Sequence, residues 1–147
     1  MTIFRDVRGS AMVELAVFLS LAVLLFMGIV DYGLELQQAM QVQEAAAAGA
    51  SFGAIPGNES NLTGMKAAAA SAAPNVSGLT VTATNVWTCS AGGASVASTS
   101  LCAGSVTPYK YVVVTTSANV PVLLLYAALP SALALHGKAT YQVPWSK

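Results

Sequence analysis

The sequence predicts an α+β protein in which a long N-terminal transmembrane helix leads into a small antiparallel β-sheet domain. Three observations carry that reading. Leu15 to Val30 reads LAVFLSLAVLLFMGIV, an apolar run without a charge. Beyond it, Ala-rich sequence keeps a helical rhythm until Pro56-Gly57. From Leu79 onward the period of apolar residues drops to two, the repeat of a half-buried strand. The chain has 147 residues, 6 Lys+Arg against 6 Asp+Glu, and only 8% charged residues. A typical soluble domain carries about 25%. This length allows one domain of ordinary size.

The first element is the membrane helix. Between Arg8 and Asp31 the only charge is Glu14. Residues 10–30 as a helix would reach about 31 Å at ~1.5 Å per residue, which matches a hydrocarbon core of ~30 Å. Arg5 and Arg8 precede the run, whereas Asp31 and Glu35 follow it. Short basic flanks stay in the cytoplasm, so the rest of the chain is expected outside. A cleaved secretory signal fits less well, because the small residues Ala46 to Ala48 lie beyond a polar stretch from Gln37 to Glu44.

Asp31 to Gly53 is expected to continue the same helix, with Gly49 and Gly53 weakening its end and Pro56-Gly57 stopping it. Gly28, Gly33, Ala46 and Gly49 are small enough to admit another helix, but each singly reads as a tolerated small residue. Asn58 to Ala73 suggests a second helix, capped by Asn58 or Ser60 and closed by Pro74. Strands follow: Leu79, Val81, Ala83 and Trp87 alternate with threonines, Tyr109 to Thr116 reads YKYVVVTT, and Gly137 to Val143 offers a third. Strands after helices point to helices segregated on an antiparallel sheet. Val120 to Leu135 is apolar but broken by Pro121 and Pro130. It reads as a buried strand-and-loop segment or as an apolar surface meeting membrane or another chain; a second span is disfavoured.

Chemistry-bearing motifs are scarce. His136 is the lone histidine and lacks a neighbour suited to a triad. The serines and threonines sit without an evident base, and Gly92-Gly93 lacks the Lys and spacing of a phosphate loop. Two cysteines and one histidine are too few soft ligands for a structural zinc. Clustered Lys and Arg, which nucleic-acid binding requires, are missing. No cofactor is expected, and a structural or binding role is favoured over catalysis.

Residues Arg8 to Leu15, RGSAMVEL, resemble the processing site of type IV pilins and pseudopilins. In that family a membrane-embedded prepilin peptidase cuts after the Gly that ends a basic leader, and Glu stands at the fifth mature position. The resemblance narrows further. Val13-Glu14-Leu15, Gly28-Ile29-Val30-Asp31-Tyr32-Gly33, Gln37-Gln38 and Ala46 to Ala50 are similar to the TadE-like family of the Flp (tight adherence) pilus system. The likeness spans about 45 residues at the front; beyond them it is loose.

This resemblance implies a pilin-like fold, with the sheet against the helix, and a bacterial minor pilin or pseudopilin. Residues 1–9 become the leader, 10–30 the span, 31–55 its periplasmic continuation and 56–147 a periplasmic α+β domain. Gly9 and Ser10 flank the cut. Glu14 would pair with the free N-terminal amine of a neighbouring subunit, offsetting its burial cost in lipid upon assembly; the plainer reading has it snorkel to headgroups. In an oxidising periplasm Cys89 and Cys102 read as a disulfide closing a Ser/Gly/Ala-rich loop. Partners would be inner-membrane lipid, prepilin peptidase, and other pilins with their assembly machinery. A rival reading is an uncleaved, single-pass anchored binding or scaffold protein.

Overall fold

The computed structural model describes residues 7–122 and 131–144. Residues 1–6, the centre of the apolar stretch (123–130) and residues 145–147, Trp145 among them, lie outside the described residues. Helix α1 spans Val7–Ala54, and α2 spans Leu62–Ala72. Four strands follow: β1 Thr80–Thr88, β2 Ser95–Val96, β3 Tyr109–Pro121 and β4 Ala132–Gln142. They form one antiparallel sheet in the order β2-β1-β3-β4. The expected α+β architecture, a long apolar helix followed by a small antiparallel sheet, is the one observed.

At ~1.5 Å per residue, the 48 residues of α1 run about 72 Å. It begins three residues before the expected start at Ser10 and stops two residues before Pro56. Its first half touches nothing described. Its second half lies on β4 and β3 and along α2. The second helix starts later than expected, and neither Asn58 nor Ser60 caps it. Asn61 does so, its Oδ1 accepting the Gly64 N–H at 2.8 Å. Asn58 instead closes turns on both sides, donating to Ile55 O and accepting from Asn61 N–H.

The sheet obeys the period of two. Val112, Val114, Thr116, Ala118 and Val120 of β3 are buried toward α1, as are Ala83 of β1 and Leu135 of β4. Thr80, Thr82 and Thr84 stand exposed on the opposite face. The core is therefore a single layer between helices and sheet, built from Val42, Ala45, Ala50, Met65, Ala69 and the inward strand residues. The apolar stretch 120–135 divides between the two partners of a hairpin. Val120 and Pro121 end β3, and Ala132 to Leu135 begin β4, with Val120 opposite Leu133 and Pro121 opposite Ala132.

Glycines mark the closest approaches. A Cβ on Gly49 would lie 2.9 Å from the Met65 carbonyl oxygen and 3.1 Å from Val114 Cγ1. On Gly53 it would meet Met65 Cε at 2.5 Å and Val112 Cγ1 at 2.8 Å. The sequence reads Gly53 only as weakening the helix end, and Gly49 as that or as a small residue that could admit another helix. In the fold both are where α2 and β3 press against α1, a consequence of tertiary packing that local propensity does not encode. Around Gly28 and Gly33 a Cβ would meet nothing within 4 Å.

Candidate membrane anchor and assembly surface

Three residue pairs fix how the helix sits on the sheet. Val42 meets Thr116, Gly49 meets Val114 and Gly53 meets Val112. The helix thus advances as β3 recedes, so the two run roughly antiparallel. The eleven steps from Val42 to Gly53 cover about 16 Å of helix, and Thr116 to Val112 covers about 13 Å of strand. Extended the other way, the Pro121/Ala132 end of the β3–β4 hairpin falls at about the height of Asp31. The Cys89–Cys102 loop lies at the far end of the sheet.

Below Asp31 the helix stands alone. All large apolar side chains from Met12 to Val30 are exposed. A stretch this long and apolar, with none of its most apolar window buried, is compatible with a single-pass membrane anchor. Its hydroxyl is satisfied locally, as Ser20 Oγ donates to the Val17 carbonyl at 2.8 Å. Gly9 and Ser10 lie in the first turn of α1, and Glu14 one turn further along. These residues share one end of the molecule. Cys89 and Cys102 share the other, where their Cα atoms are 5.5 Å apart and a disulfide joins them. Cys102 N–H also donates to Val106 O at 2.8 Å, closing a small turn beside the bridge.

Where α1 meets the sheet, two adjacent helix residues make polar contacts that the sequence did not reveal. The Thr116 hydroxyl donates to the Val42 carbonyl at 2.7 Å in a buried setting. Gln43 Nε2 donates to Lys138 O at 3.0 Å, and Gln43 Oε1 accepts the Lys138 N–H at 3.1 Å. Gln43 thereby imitates one residue of a neighbouring strand. The register explains why Lys138 is available. Val143 N–H bonds Lys110 O and Val122 N–H bonds Ser131 O, so odd residues of β4 pair with β3 and even residues face outward. Gly137 permits the close contact, since a Cβ there would lie 2.5 Å from Thr116 Oγ1 and 2.6 Å from Val42 O. Short of the folded register, a glutamine in a polar stretch carries no signal of this role.

The remaining sequence candidates are dispersed. His136 stands exposed on the outer face of β4, beside a shallow cleft of about 510 Å³ that Thr80, Thr82, Thr115, Ser117 and Lys138 also line. Lys110 Nζ lies 5.8 Å from the Trp87 ring centroid, a cation–π distance. The Glu59 carboxyl is held below the usual carboxylate range, chiefly by its own backbone N–H and by that of Gly57, which donates to Oε2 at 2.7 Å; Lys110 adds a smaller attraction. Among the described residues, no group of three or more His, Cys, Asp or Glu converges on a metal-sized site.

A family model described as TadE-like protein matches residues 9–51. The match covers 43 of the chain's 147 residues, all of them within α1. No curated protein and no solved structure matches the chain. The TadE-like segment begins at Gly9, includes Glu14 and the whole apolar run, and ends at Ser51, just before α1 does. It therefore contains the exposed anchor and the Val42–Gln43 contact level. The sheet and the disulfide lie beyond it.

Proposed function

We propose that this chain is a TadE-like minor pilin or pseudopilin that acts in assembly of a type IVb (Flp/Tad) pilus or a related secretion apparatus. The observation that carries the reading is the TadE-like match over residues 9–51, placed on a helix whose lower half is exposed and apolar. A pilus-associated role in general is what that match supports. The finer assignment divides the chain into a leader (1–9), an inner-membrane span (10–30), a periplasmic helix (31–55) and a periplasmic domain (56–147). Prepilin peptidase cuts between Gly9 and Ser10. Glu14 then finds a positive partner in the N-terminal amine of a neighbouring subunit. The role is structural, with no chemistry asked of the domain.

In the uncut chain α1 runs continuously through Gly9 and Ser10. Processing therefore requires the first turn to unwind, which Gly9 eases because glycine favours helix less than other residues do, proline excepted. The same continuity favours a second reading, an anchored scaffold that is never cut. Intact-mass measurement separates the two. In cells with prepilin peptidase the N-terminus should be Ser10, and in cells without it the leader should remain. Retention of Met1 in peptidase-competent cells would sink the pilin assignment and leave the scaffold.

A further inference from the structure

The paired ends of β3 and β4 lie close to where α1 leaves its span. Thr116 of β3 stands level with Val42 of α1, and helix and strand run in opposite directions. Five steps of strand from Thr116 to Pro121 cover about 17 Å. Eleven steps of helix from Val42 to Asp31 also cover about 17 Å. A tilt of about 35° between them would shorten the descent by about 3 Å and leave Pro121 level with Gly33. Headgroups extend the hydrocarbon core by about 5–7 Å on each side. Counted from Val30, that layer reaches to about Leu34. Pro121 and its partner Ala132 therefore fall within it.

Burial along α1 agrees independently. Among the described residues, Asp31 is the first buried one along the helix, at 8% exposed. Ile29 and Val30, just below it, are both 59% exposed. The domain thus packs down α1 as far as the exit from the span.

We infer that this end of the sheet is a second membrane contact, in which Pro121, Ala132 and Leu133 rest in the headgroup layer of the leaflet that α1 leaves. The inference rests on the membrane-anchored reading of α1 and on neither leader cleavage nor a pilus. Pro121 and Ala132 are exposed, and so is Leu133 at its end of the core face. No Asp, Glu, Lys or Arg lies between Lys110 and Lys138. Lys138 is six residues up β4 from Ala132, about 20 Å away along the strand. Asp31, the acid at this level, is itself withdrawn from the surface. The end of the sheet thus offers small and apolar side chains to an interface that favours burying them.

The occupant is lipid because the anchor puts a bilayer there. Every copy held by its span has this end of the sheet at the membrane surface, whatever it joins later. A single span is free to tilt and rotate until interfacial anchors fix it. The sheet supplies such an anchor to one side of the helix axis, so the domain stands at a set angle on the membrane.

Fluorescence quenching of the full chain in phosphatidylcholine–phosphatidylglycerol vesicles tests this, at a protein-to-lipid ratio low enough to isolate single copies. Both native cysteines are in a disulfide, so an introduced cysteine is the single free thiol. A nitrobenzoxadiazole label on Ala132→Cys should emit to the blue of one on Thr140→Cys and lose intensity to lipids bearing a nitroxide at the headgroup. Thr140 is exposed on the same strand face, about 26 Å further from the membrane, and its label should lose none. Raising the salt concentration should leave the Ala132 quenching unchanged, since no charge makes the contact. A label on Leu24→Cys, within the span, should be quenched by a nitroxide deep in the acyl chains. An Ala132 label as bright as that at Thr140, beside a quenched Leu24 label, would overturn the contact and leave the anchor standing. Quenching at Ala132 that salt removes would overturn its apolar character. An unquenched Leu24 label would overturn the anchored reading, and the contact with it.

Discussion

Gly137→Ala should loosen the joint between α1 and the sheet. The added methyl would stand 2.5 Å from Thr116 Oγ1, 2.6 Å from Val42 O and 3.0 Å from Gln43 Cα. Two of those three atoms are helix backbone, so no rotamer change relieves the clash and α1 must lift from β4. Overpacking of this kind costs about 1–3 kcal/mol. Lifting the helix also stretches the buried Thr116–Val42 hydrogen bond, and a buried hydroxyl left unpaired costs about 1–3 kcal/mol more. The expected loss is about 2–6 kcal/mol, or a fall in Tm of roughly 8–24 °C at ~4 °C per kcal/mol for a domain of this size. Thermal unfolding of the full chain in detergent micelles, followed by the near-ultraviolet signal of the tryptophans, would report it. Gly28→Ala is the matched control, because nothing lies within 4 Å of its Cβ. A Gly137→Ala variant that melts with the wild type and the control would refute the close-approach argument.

Other perturbations have equally definite outcomes. Gln43→Ala removes both hydrogen bonds to Lys138, so amide exchange at Lys138 should speed up while neighbouring β4 amides bonded to β3 keep their protection. Breaking the disulfide by Cys89→Ser with Cys102→Ser should cost roughly 3 kcal/mol and lower Tm without removing the membrane anchor. Glu14→Ala should leave processing and membrane insertion intact but reduce incorporation into assemblies; wild-type assembly yield would remove the pairing argument. The Glu59 carboxyl is depressed by backbone N–H donors, so whatever it contributes is present above the ordinary carboxylate range and is lost as pH falls through its lowered pKa. Proton titration followed at the Gly57 amide should therefore show a midpoint below that of an unperturbed glutamate.

Elements with strong local chemistry could be read from the sequence, and those set by distant partners could not. Pro56-Gly57 announces the end of α1 at Ala54 because proline cannot continue a helix. The Thr/apolar alternation from Thr80 gives β1 and its inward face correctly, since a period of two needs no tertiary information. The strand expected at Tyr109 to Thr116 runs on to Pro121, and β4 starts at Ala132 rather than Gly137. Both extensions consist mostly of small or apolar residues of weak or ambiguous strand signal, and they become strands by pairing with each other. β2 is two residues long, below what periodicity can register. The Cys pair was legible because two cysteines in a domain expected outside the cytoplasm have few other uses. The roles of Gly49, Gly53, Gly137, Gln43 and Thr116 were not, since each depends on which element folds back upon α1.

The two polar ties between helix and sheet have a mechanical consequence. Val42 and Gln43 are adjacent, and their bonds to Thr116 and Lys138 lie at the same height along the helix. A pull along α1 from the membrane side loads these bonds together and in shear, instead of peeling them open in sequence. Tension on the anchor would thus be shared at once between the central strand β3 and the edge strand β4. A subunit drawn out of a bilayer by its helix would carry its domain along as one rigid cargo.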